Sequence, residues 1–333
     1  NTFSGGLTIT SGLVSWTNEA NFGDISNVIT LNGGGLLFAA AAGATAHNIK
    51  VGSSGGTIRT YGSTTLTLTG TISNATSVAS TTLRRTDGGT VVIKSQGTGF
   101  TGTYINGGGS TQLNAFNADW STTDFVLDGG NLMPNGGGTA VVNSINSTVD
   151  VIINNGTALN VDTGAITMRT AHWYKTTVGP VGTLTSSSGT LTITNGAATG
   201  NLTTTDHQIW VRITDSGATP VAFVKNNYNS LSLRQPNTYS GGTTINGGRI
   251  NADHNQCFGT GPVTVNSGGQ AWLTRTLYTN NFTINGIGPL EGTANDGALR
   301  YNGQSTTTGT VHVASSARIG AKASGDFGTM AGP

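Results

Sequence analysis

Short strings in which apolar and polar residues alternate run along the chain and stop at glycine or asparagine. Examples are Thr65-Leu66-Thr67-Leu68-Thr69, Thr190-Leu191-Thr192-Ile193-Thr194 and Val263-Thr264-Val265. A period of two sends successive side chains to opposite faces and predicts β-strands. Thr, Val and Ile, stiff at the β-carbon, fill these strings, and no sustained 3.6-residue pattern with capping signals predicts a helix longer than a turn or two.

The strings fall inside a longer repeat. NTFSGGLTITSG from Asn1, GTGFTGTYINGGG from Gly97 and NTYSGGTTINGG from Asn237 each set an aromatic (Phe3, Phe100, Tyr239) before a glycine turn and an isoleucine (Ile9, Ile105, Ile245). The middle copy is one residue shorter there. Downstream, NEANFGDISNVITLNGGGLLF, FNADWSTTDFVLDGGNLM and DHNQCFGTGPVTVNSGGQAWL share a bulky aromatic (Phe22, Trp120, Phe258), an alternating strand and an Asn/Asp-Gly/Ser-Gly turn. Modules of approximately 1–96, 97–236 and 237–333 follow, the last cut short, and both ends read as cuts through a longer array.

A module with too few large apolar residues to close its own core buries its inward face against its neighbours, and stacked coils do this. The expected architecture is therefore all-β, a right-handed parallel β-helix forming one elongated domain. Leu, Ile, Val, Phe and Ala columns are expected inside and Thr, Ser and Asn outside. Asparagines at equivalent corners are expected to form hydrogen-bonded ladders.

NTYSGGTTINGGRI followed by FGTGPVTVNSGG resembles the autotransporter-associated β-strand repeat, also called the passenger-associated transport repeat. SGGTIRTYGSTTLTLTGTIS, GTLTITNGAATGNL and DGALRYNG resemble that family's flanking strands, while GFTGTYINGGG in the middle module departs from its pattern. The resemblance implies a right-handed parallel β-helix in a large secreted bacterial protein, at or beyond the cell surface. It implies no particular activity, and the translocating barrel of an autotransporter is not among these residues.

Composition narrows the function. Charged residues make up 9% of the chain and the formal net charge is +1, so no basic stripe is available for nucleic acid. Fifty-two glycines fit many tight turns, while 35% hydrophobic content in alternating strings argues for packed strands rather than disorder. Cys257, the single cysteine, excludes an intrachain disulfide and reads as a core position before Phe258. The most apolar patch, Leu36 to Ala42, is too short to span a bilayer as a helix.

Several motifs carry chemistry in form only. Gly97-Thr98-Gly99-Phe100-Thr101-Gly102 spells G-x-G-x-x-G after Val91-Val92-Ile93, yet TYINGGG cannot open the helix that would receive a phosphate, so it reads as a repeat turn. Asn117-Ala118-Asp119 and Asn251-Ala252-Asp253 resemble the first Asn-x-Asp element of polygalacturonases. No Asp-Asp pair, Gly-His-Gly or Arg-x-Lys completes that set. Glycoside hydrolysis needs two carboxyl groups about 5–10 Å apart, and only Glu19, Glu291 and scattered aspartates are available. Asp253, His254 and Cys257, and the Asp206-His207 step, lack the spacing of a closed zinc site. Asp87-Gly88-Gly89 and Asp128-Gly129-Gly130 are turns without the nonapeptide period of a calcium-binding roll. No catalytic residue, cofactor or metal is assigned.

Arg169-Thr170-Ala171-His172-Trp173-Tyr174-Lys175 breaks the repeat grammar and makes Arg169, His172, Trp173, Tyr174 and Lys175 a candidate contact surface, for a cell-surface glycan or a neighbouring subunit. The expected protein is thus non-enzymatic: an extracellular stalk, fibre or surface-layer element, adhesive through protruding loops. It is expected to self-associate head-to-tail or to continue covalently into more coils. The alternative is a carbohydrate-active β-helix, a polysaccharide lyase or hydrolase, or a glycan-binding passenger.

Overall fold

The computed structural model describes residues 1–149, 151–153, 158–168, 173–175 and 182–332. They fall into two compact units, one up to Leu159 and one from Asn160 onward. Each is a β-solenoid: strands pair in parallel with those one coil before and one coil after.

In the first unit one ladder stacks Leu7–Ile9, Ile29–Leu31, Ile49–Val51 and Ile72–Asn74. A second runs from Leu13–Trp16 through Gly35–Phe38, Gly56–Thr60, Thr81–Thr86, Gly102–Asn106 and Asp119–Leu127 to Thr139–Ser147. A third runs from Ala42–Thr45 through Thr65–Leu68, Thr90–Ile93 and Ser110–Leu113 to Asn131–Pro134 and Val151–Ile152. Alternation places Leu31, Ile58, Leu66, Leu83 and Leu113 inside. The helix among the described residues is one 3-10 turn, Glu19–Phe22, capped by Asn18. It seats Phe22 against Trp16, centroids 4.8 Å apart, and Trp16 lies 4.8 Å from Phe38.

In the second unit one ladder carries Ala165–Met168, Thr190–Asn195, Ala222–Asn226, Thr243–Ile245, Val263–Val265, Phe282–Gly286 and Val311–Ala317. Another carries Trp173–Lys175, Thr203–Ile209, Asn229–Leu233, Gly248–Ala252, Gly269–Leu273, Leu299–Tyr301 and Ile319–Ala321. A shorter one stacks Leu277–Tyr278, Gln304–Thr307 and Phe327–Met330. Among the described residues, pairing departs from parallel at a small hairpin, Leu290–Glu291 with Ala294–Asn295, inserted between two coils, and at an isolated bridge between Ser216 and Thr219.

The first and third modules repeat in their hydrogen bonds as well as their letters. Asn1 donates to the Ala20 carbonyl at 3.1 Å and the Asn21 carbonyl at 2.5 Å, and Asn237 to those of Gln256 at 3.0 Å and Cys257 at 2.6 Å. The Phe3 carbonyl accepts from Asp24 N–H at 3.1 Å and the Tyr239 carbonyl from Thr260 N–H at 3.0 Å. Phe22-Gly23 and Phe258-Gly259 are thus the same corner. Tyr239 is buried against Phe223, whereas Phe3 is 38% exposed.

The middle module departs from the alignment that the sequence suggested. Ile105 was matched to Ile9 and Ile245, but Tyr104 and Asn106 are buried and Ile105 lies on the opposite face. The missing residue flips the register, since a one-residue slip exchanges the faces of a strand. Trp120 fills the core as Phe22 and Phe258 do, but from within the strand Asp119–Leu127, where the register shifts between Trp120 and Asp124. Phe100 is buried beside it, 6.3 Å between ring centroids.

Candidate functional site

The expectation of polar residues outside and apolar residues inside fails on one sheet of the second unit, where both faces are closed. Every residue of Asn229–Leu233 and Gly248–Ala252 is buried. Leu231, Leu233, Ile250 and Ala252 face the core, so the alternate residues Ser230, Ser232, Arg249 and Asn251 are covered from the outer side. The hairpin Leu290–Asn295 contributes to this cover: the Leu290 carbonyl accepts from Leu202 N–H at 2.7 Å, and Glu291 reaches the sheet.

The outer face is organised around two indole rings. Trp272 has Arg249 4.5 Å, Arg300 5.1 Å and Lys322 5.1 Å from its ring centroid, within cation–π range. Glu291 Oε2 accepts from Arg249 Nη1 and Arg300 Nη1, each at 2.9 Å, and Asp296 holds Arg300 Nη2 at 3.0 Å. Burial pushes the Arg249 guanidinium below its ordinary pKa and Glu291 opposes that shift. Two coils earlier Arg234 stacks 4.8 Å from Trp210 and pairs with Asp206 at 3.6 Å and Asp253 at 3.4 Å. Asp206 also accepts from Gln208, Ser232 and Asn251, so Asp206, Asp253, Glu291 and Asp296 are all tied to arginine.

Sequence reasoning missed this face. Its signals were arginine or tryptophan at outward positions of alternating strings, Arg249-Ile250 and Ala271-Trp272-Leu273, and the extra loop GPLEGTANDG before Leu299. Of the expected contact surface, Arg169 and His172 lie outside the described residues. Trp173–Lys175 is a strand whose backbone pairs Trp173 with Gln208 and Tyr174 with Ile209. Cys257 is fully buried, and burial pushes its thiol pKa upward. His254 Nδ1 accepts from the Gln256 N–H at 3.1 Å. Among the described residues no three His, Cys, Asp or Glu side chains gather to hold a metal, and no helix is long and apolar enough to cross a membrane. The G-x-G-x-x-G stretch is a turn leading into the strand Gly102–Asn106.

A second feature lies on the last coil. Ile245, Val265, Ile284 and Val313 occupy one ladder position on successive coils. The first three are 0% exposed and Val313 is 53% exposed. Ile319, after Leu299, and Met330, after Thr307, repeat the pattern. In the first unit Leu7, Val14, Trp16 and Phe22 line an open concavity of about 440 Å³.

Parallel ladders closed around apolar columns define a β-solenoid. Comparison with models of known families, with curated proteins and with solved structures finds no significant match.

Proposed function

We propose that this protein is a structural β-solenoid of the bacterial cell exterior, a stalk, fibre or surface-layer element resembling autotransporter passengers, and that it works by stacking coil on coil rather than by catalysis. The observation that carries this reading is the coil-on-coil stacking itself, in which Ile245, Val265 and Ile284 are each sealed between the coils before and after them. A second copy stacked coil on coil would extend the parallel ladders by the same backbone pairing. Head-to-tail contact of this kind does not close on itself, so it builds filaments. The paired state of the carboxylates around Trp210 and Trp272 supports the non-catalytic side of the reading.

Negative-stain electron microscopy of the protein from its native source tests the proposal. Filaments or regular surface arrays support it. Short separate rods at every concentration overturn the polymer.

A further inference from the structure

The contact between Glu291 and the two arginines is an under-used one. An arginine holds a carboxylate best through two parallel bonds from one guanidinium. Arg249 and Arg300 each give Glu291 a single bond, and both end on the same oxygen. Around them lie buried polar atoms without a partner: Arg300 Nε, Trp272 Nε1, Gln270 Oε1 and Asn251 Oδ1. They are neighbours by register, Gln270 opposite Arg249, and Trp272 opposite both Asn251 and Arg300. Two of these atoms seek acceptors and two seek donors, and such unmet groups in a native fold call for an explanation.

The segment that covers them is a short hairpin set between glycine turns. Gly286, Gly288, Gly292 and Gly297 flank or turn the hairpin with φ of 75°, 84°, 63° and 105°, a region only glycine enters freely. The hairpin strands are two residues each.

We propose that the Arg249–Arg300–Trp272 face is a binding site for an acidic sugar, a uronate unit of a polysaccharide, and that Glu291 fills its carboxylate position until the ligand displaces it. The sugar carboxylate takes the arginine fork. Its hydroxyls donate to Gln270 Oε1 and Asn251 Oδ1 and accept from Trp272 Nε1. A simple carboxylate or phosphate ion has no hydroxyl set to satisfy these acceptors, which is why the site selects a sugar acid. Lys322, beside the same ring, adds a third cation. This site is independent of end-to-end stacking and goes beyond that reading.

Titration calorimetry of the whole chain with trimers of galacturonate, glucuronate and mannuronate, and with their methyl esters, tests it. Glu291→Ala is expected to bind at least one acid trimer about 10-fold more tightly than the parent, to ignore the matching ester, and to lose binding when Arg300→Gln is added. No gain with any of the three acids, or equal binding of acid and ester, overturns the proposal. Should Glu291→Ala lose its β-sheet circular dichroism, Glu291→Gln removes the competing charge while keeping an acceptor for the arginines, and the same outcomes apply.

Discussion

The ammonium of Lys225 donates to the carbonyl of Gly247, 2.9 Å away on the following coil, from a position that faces the core. Lys225 shares its ladder position with Ile193 before it and Ile245 after it. Its other acceptors are the carbonyls of Asn226 at 3.0 Å and Asn227 at 2.5 Å, and Asn227 has φ of 66°. Arg85 does the same work in the first unit, donating to the carbonyls of Asp87, Gly88 and Gly89, with Asp87 at φ of 68°. In both places a buried cation gathers the carbonyls of a bend whose first residue after the strand, two beyond the cation, is left-handed, so the same corner recurs with different chemistry.

Burial pushes the Lys225 amine from 10.5 down to about 7. The unfolded chain then holds more protons than the folded one between those values, so stability rises with pH across that window. The slope reaches at most about 1.4 kcal/mol per pH unit for one proton. Between pH 7 and 8, below the ordinary ionisation of the Cys257 thiol and the tyrosines in the unfolded chain, the urea midpoint is expected to climb. Lys225→Met is expected to flatten that climb, and an unchanged slope in the variant would assign it elsewhere.

Arg85 has no such freedom, because a guanidinium stays charged at any working pH. Arg85→Met removes the guanidinium bonds to the Asp87, Gly88 and Gly89 carbonyls and to Thr60 Oγ1, leaving Gly88 to Thr60 Oγ1 and Gly89 to the Ser110 N–H. The expected loss is about 3 kcal/mol, measured by urea unfolding, because hydrogen bonds to a charged group are worth more than neutral ones. Arg85→Lys is expected to recover part of it, since one ammonium replaces a three-carbonyl fork.

The fold was legible because period-two strings and glycine corners repeat on a length scale that only stacked coils satisfy. Leu66 and Leu68, Leu191 and Ile193, and Val263 and Val265 all face inward as their alternation requires. Register was less legible: the letters around Ile105 align with Ile245, yet a single deleted residue reverses which of them is buried. The polar outer face was not legible, because nothing in Arg249, Trp272 or Arg300 alone says that a hairpin 42 residues after Arg249 in the chain returns to cover them. Lys225 and Arg85 were hidden for a related reason: a cation in an alternating string reads as an outward position unless the carbonyls it meets are known.

Glycine at the aromatic corner is a packing requirement as well as a conformational one. Gly259 has φ of 64°, and a Cβ there would sit 2.2 Å from the Tyr239 carbonyl oxygen, which accepts from the Thr260 N–H. Gly12 has φ of 68° with nothing within 4 Å. Gly12→Ala therefore carries the left-handed penalty alone, about 1 kcal/mol. Gly259→Ala adds displacement of a buried backbone and is expected to cost about 3 kcal/mol. Thermal unfolding of the two variants in parallel separates the terms, and equal losses would show that the coil spacing yields to a methyl group.

The asparagine ladder anticipated from the corners is present in the second unit and has a direction. Asn246 Nδ2 donates to Asn226 Oδ1 at 2.9 Å, and Asn266 Nδ2 donates to Asn246 Oδ1 at 2.7 Å, one rung per coil. These amides are accessible to water, which competes for each bond, so a single rung contributes about 0.5–1 kcal/mol net. Asn246 sits in the middle and makes both contacts, so Asn246→Ala is expected to cost about 1 kcal/mol and Asn266→Ala about half as much. Because the first change already removes the bond that the second would break, the double variant is expected to fall short of the sum by about 0.5 kcal/mol. Urea midpoints of the parent, both single variants and the double variant form the cycle. Strict additivity would mean that water carries these amides and that the coils are held in register by their apolar columns alone.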